Sequence, residues 1–122
     1  MNIDQLLRKI DSFNNELINI RRHIHAHPEL SGLENQTAIL ISGYLKKFGW
    51  NVTESVGRTG VIADFGPTDK GIIGLRVDMD ALPILEETQL SFSSKVDGVM
   101  HACGHDLHIS IGLGVAKIVK DL

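Results

Sequence analysis

Apolar side chains recur at Ile3, Leu6, Leu7, Ile10, Phe13, Leu17, Ile20 and Ile24, with polar residues between them. That spacing predicts an amphipathic helix over residues 3–24 with one buried stripe. Pro28 ends it, because a proline disfavours helical backbone in the residue before it. Ser31-Gly32-Leu33-Glu34 has the spacing of a capping box. Ala38, Ile41, Leu45 and Phe48 then repeat on one face, so a second helix is expected from about residue 32 to 48, with Gly49 as its C-terminal cap.

After Gly49 the period changes. Residues 50–53 alternate, and residues 60–65 and 71–77 are β-rich. The turn-forming segment Gly66-Pro67-Thr68-Asp69-Lys70 separates the last two, which predicts a hairpin between them. Its second strand is mostly apolar and so is expected at the centre of a sheet. Residues 84–98 look irregular. A third helix is expected from about Asp106 to Lys120, with Ile109, Leu113, Ala116 and Val119 turned inward. The resulting order, αα-βββ-α, predicts an α/β layer structure without repeats or linkers.

Candidate chemistry is concentrated in MHACGHDLHIS, residues 100–110, which holds the only cysteine, Cys103, and three of six histidines. Thiolate and neutral imidazole both bind borderline metals such as zinc. Residues two apart in extended backbone point the same way, so Cys103 and His105 could aim at one point. A helix N-terminus just downstream would favour the thiolate. Each residue alone reads as a buried thiol or a half-exposed imidazole beside a helix cap; as a cluster they read as donors. Four ligands within eight residues rarely make a tetrahedron, which argues against a self-contained zinc finger.

Asp78 and Asp80 stand at the end of the apolar 71–77 run. Strand carboxyl ends are where α/β proteins keep their sites. Asp80 could accept a hydrogen bond from a ligating imidazole, and the same pair could equally cap a turn before Pro83. His23, His25 and His27 alternate at the end of the first helix, where residues two apart do not share a face; a solvated C-terminal turn is the expectation there. Gly112-x-Gly114 lies inside the third helix and reads as a packing feature.

Composition narrows the classes further. The 122 residues suit one small domain, and a net charge of −3 with no like-charge run beyond two residues is too mild to imply a nucleic-acid or acidic-membrane surface. One cysteine rules out an internal disulfide and fits a cytoplasmic location. No apolar run approaches membrane length, and the first ten residues lack a signal-peptide core.

Three stretches, RRHIHAHPELSGLE, GLRVDMDALPILEET and GVMHACGHDLH, in this order resemble the N-terminal part of the M20 metallopeptidase family, in its amidohydrolase branch of hippurate and N-acyl-amino-acid hydrolases. The resemblance covers about residues 15–119. It implies part of a three-layer, zinc-peptidase-like α/β catalytic domain spanning residues 1–122. It also implies a two-metal centre (zinc, manganese, cobalt or nickel) with Cys103 and His105 as ligands and Asp80 in a supporting position. Asp78 stands where other branches carry a histidine ligand, and Leu107 where glycine is common. His101 and His108 are assigned to the lining. The implied substrate is a small N-acyl amino acid, with no nucleic-acid or membrane partner. The family's general-base glutamate, further histidine ligands and dimerisation domain have no counterpart in these residues. The chain is therefore expected to be inactive in isolation. The alternative is a non-catalytic remnant that binds metal weakly or self-associates as a homo-oligomer.

Overall fold

The computed structural model describes residues 2–69, 71–120 and 122. The element order is α1 (Ile3–Ala26), α2 (Asn35–Lys47), β1 (Asn51–Val56), β2 (Gly60–Asp64) and α3 (His105–Lys120). This is a mixed α/β arrangement, with α1 packed along α3 and α2 lying over the hairpin and α3.

Local chemistry explains the helix ends. Asn2 and Gln5 form a reciprocal capping box at the start of α1. α2 ends as the glycine predicts. Gly49 has φ +83°, and the Gly49 and Trp50 amides bond back to the carbonyls of Lys46 and Leu45, closing a Schellman motif. The start of α2 differs from the expected Ser31 box. Its N-cap is Glu34, which makes no side-chain cap bond. The Glu29 carboxylate instead accepts from the Gln36 and Thr37 amides at 3.0 and 2.8 Å. A full negative charge satisfies these orphan donors and meets the positive end of the helix dipole. Glu34 is engaged elsewhere, accepting from the Thr59 hydroxyl at 2.7 Å at the tip of the hairpin.

Ile20, Ile24, Ile41, Ile109 and Leu113 form the core, with Leu17, Leu45, Phe48, Val61, Val77 and Met79 packed against it. Burying each such aliphatic side chain contributes about 2 kcal/mol before entropy is counted. The α1 stripe is buried only from Phe13 onward; Ile3, Leu7 and Ile10 are exposed. On α3, Ile109, Leu113 and Ala116 face inward as expected, whereas Val119 is at the surface. Gly112 and Gly114 are packing glycines: a Cβ at Gly112 would come within 2.7 Å of Val77, and one at Gly114 within 3.0 Å of Leu17.

The sheet departs from the expected one. β1 and β2 pair with each other, antiparallel, through a turn at residues 57–59. Residues 71–80 form no helix or strand and carry no ladder, so the order is ααββα. The expected turn at residues 66–70 therefore closes no hairpin, and its last residue, Lys70, lies outside the described residues. The apolar run reports that the segment suits burial; it says nothing of which strand lies beside it. Val77 and Met79 reach the core, while Ile72 and Ile73 are 82% and 99% exposed. Among the described residues, the amides of residues 72–80 make no backbone hydrogen bond. These amides are expected to exchange with deuterium at near-unprotected rates in dilute solution, while those of β1 and β2 stay protected. Equal protection in both regions would contradict the bare edge. No helix among the described residues is long and apolar enough to cross a membrane.

Candidate metal centre

Three chain segments converge at the start of α3. Leu30 bridges Ala81 in parallel, with the Ala81 amide on the Glu29 carbonyl at 2.8 Å, which brings the end of the 71–80 segment beside the turn after α1. Leu82 and Met100 then exchange both backbone hydrogen bonds at 2.9 Å. This closure sets Asp80 next to residues 101–105.

Gly104 shapes the donor loop. Its φ is +82°, which favours glycine, and its carbonyl accepts from the Leu107 and His108 amides to begin α3. His105 is the first residue of the helix. Its Nδ1 lies 2.8 Å from the Asp80 carbonyl oxygen and 3.0 Å from Asp80 Oδ1. Both are acceptors, so Nδ1 donates, which in the neutral ring leaves Nε2 with a free lone pair. Cys103, two residues away, is an exposed free thiol. Asp78 turns aside: its carboxylate accepts from Arg76 Nε and Nη2 at 3.3 and 2.9 Å, and that guanidinium holds its carboxyl below the usual range. The residues suit a metal in kind but not in number. Among the described residues, no three of His, Cys, Asp and Glu are grouped to hold an ion.

Behind the loop lies a buried polar cluster that the sequence did not announce. His25, expected in a solvated turn, is 3% exposed. Its Nδ1 lies 2.8 Å from Asp106 Oδ2, and its Nε2 lies 3.1 Å from Glu86 Oε1. Arg21 Nε donates to the same Asp106 oxygen at 2.7 Å. Asp106 is fully buried. Glu86 also accepts from the Thr88 hydroxyl and, at 2.6 Å, from the Ser94 amide. His23 and His27 stay on the outer face, their rings 4.5 Å apart. The helical period contains this outcome: residues four apart share a face, and the one between them is turned away. Glu86 had no such signal, because its partner His25 lies 61 residues off.

His101 is buried beside this cluster, its ring 6.5 Å from that of His25. Both its ring nitrogens, and Asp106 Oδ1, are buried without a hydrogen-bond partner among the described residues. Burial holds the His101 ring below the usual histidine range, against the pull of the Asp106 charge.

Comparison with known proteins accords with this geometry. Residues 74–122 match the family described as Peptidase family M20/M25/M40. A probable hydrolase of Synechocystis sp. is 49% identical, the match covering 87% of this chain and 28% of that protein. An N-acyl-L-amino acid amidohydrolase of Geobacillus stearothermophilus is 43% identical, over 100% of this chain and 33% of that one. Among solved structures, a Bacillus subtilis protein described as a dinuclear metal binding peptidase from family M20 superposes with a TM-score of 0.85 at 44% identity. That match covers 91% of this chain and 32% of the other. The chain thus spans about a third of the length of these relatives. Sequence and fold agree across nearly all of that span: residues 74–122 match peptidase family M20, and the chain as a whole is similar to about a third of a solved M20 peptidase.

Proposed function

We propose that this chain supplies one side of a two-metal, amide-hydrolysing centre. Cys103 and His105 are its metal donors, and Asp80 orients His105. The observation that carries the reading is the Asp80–His105 contact. A carboxylate and a carbonyl fix the proton on Nδ1 and leave Nε2 as the ligand atom, which is how proteins orient metal-binding imidazoles. The reaction is hydrolysis of an N-acyl amino acid to a carboxylic acid and a free amino acid, in keeping with the names of similar proteins; the reading extends it to hippurate. A bound pair of zinc, manganese, cobalt or nickel ions would supply an activated water and a polarised carbonyl. His105 would contribute its Nε2 lone pair, and Cys103 its exposed sulfur. The reading places the protein in the cytoplasm, where a lone thiol stays reduced.

A catalytic zinc usually takes three protein ligands and a water, and two are assigned here. The 122-residue chain is therefore expected to take up zinc or manganese weakly and to show no useful turnover of hippurate or N-acetyl amino acids. Uptake that disappears in Cys103→Ala, without turnover, supports an incomplete half-site. Robust turnover abolished by Cys103→Ala would overturn it and mean that a second copy completes the site. A non-catalytic, self-associating form is the other reading that an observation favours, through the bare segment around Ile73. A mass that rises with concentration and falls in Ile73→Lys would mark it.

A further inference from the structure

His25 has no part in the proposed hydrolysis, yet it joins segments 61 and 81 residues away. Residues 83–99 leave and return to one point, the Leu82–Met100 closure. They contain no helix or strand. A loop of this length is defined by what it bonds to. Two hydrogen bonds tie it to α1, the Lys95 amide on the Ala26 carbonyl at 2.9 Å and Glu86 on His25, and the Phe92 ring adds contacts with Arg21, Arg22 and His25. The other side of the same imidazole holds Asp106, the residue after His105. One ring thus links the loop between the two site segments to the first turn of α3.

Charge sets how this ring bonds. Both of its nitrogens face carboxylate oxygens, which only accept, so both nitrogens must donate. A ring donating from both nitrogens, together with Arg21 on Asp106, would balance the two carboxylates, as burial demands. Phe92 closes one side, its ring edge-on to His25 at 5.6 Å.

We infer that His25 is a positioning residue for the donor loop: donating from both ring nitrogens, it binds residues 83–99 to the start of α3 and holds His105 against Asp80. Its functional meaning rests on the reading of Cys103 and His105 as donors. Its geometry does not, so the test needs no metal. In the 15N-labelled 122-residue chain at neutral pH, the histidine-ring NMR spectrum should show His25 protonated on both nitrogens. His105 should appear as a single tautomer with its proton on Nδ1. In His25→Gln, which cannot bridge both carboxylates, the single His105 tautomer should be lost to an exchange-averaged ring, while the amides of β1 and β2 stay in place. A His25 ring with one proton would overturn the inference. So would a His105 ring unchanged in a folded His25→Gln chain. If that variant does not fold, the unsubstituted ring still decides, and Glu86→Gln provides the second perturbation. Failure of the metal reading would show separately, as absent metal uptake with these ring signals intact.

Discussion

Asp106→Ala is expected to lower the stability of the chain by about 3–5 kcal/mol, the usual cost of removing one partner from a buried charge pair. Asp106 is fully buried and receives Arg21 and His25 on one oxygen. Without it, Arg21 and the His25 ring lose their shared acceptor across a small cavity, and only Glu86 still accepts from that ring. Domains of this size have roughly 5–15 kcal/mol in total, so the variant should sit near the edge of folding at 37 °C. Asp106→Asn, which keeps the volume and one acceptor oxygen, should lose less. Urea denaturation of the three proteins measures the difference. A loss under about 1 kcal/mol for Asp106→Ala, typical of an exposed pair, would mean the cluster is not the buried ionic knot described above.

Acid should unfold the protein through Glu86. Burial by itself would raise that carboxyl, but hydrogen bonds from the Thr88 hydroxyl, the Ser94 amide and His25 outweigh it and bring it from 4.5 down to about 2. A carboxyl depressed in the folded state adds stability that is complete above the unfolded value and lost as pH falls through the folded one. The window is therefore pH 4.5 down to about 2. Linkage at about 1.4 kcal/mol for each pH unit of that window puts the loss at about 3 kcal/mol. Glu86→Gln should be less stable at neutral pH and should flatten the profile in that window. A wild-type chain whose unfolding free energy stays level from pH 5 to pH 2 would contradict this assignment.

What the sequence disclosed depended on the range of the interaction. The three helices were legible because a periodic stripe and a Gly49 cap are local features. The Cys103–His105 loop was legible as a candidate for the same reason: the two residues are two apart, and the Gly104 turn lies between them. The Ser31 box failed because Glu29 is a stronger donor-matched cap from several residues upstream. The 71–77 strand failed because apolarity predicts burial and leaves the neighbouring strand unspecified. His25 was misplaced for a reason that was present in the helical period. The rule that separates it from His23 and His27 also sends it to the opposite, buried face beside Ile24. Its partners Glu86 and Asp106 are set by the tertiary fold alone.

Cobalt(II) added to the reduced chain tests most directly whether Cys103 and His105 share one metal ion. A cysteine thiolate bound to cobalt gives an absorption band that imidazole and carboxylate do not. A shared ion predicts a saturable band that is absent in Cys103→Ser and weakened in both His105→Ala and Asp80→Ala, with helix content unchanged. A band of equal strength in His105→Ala, or no band in the wild-type chain at saturating cobalt, would contradict it.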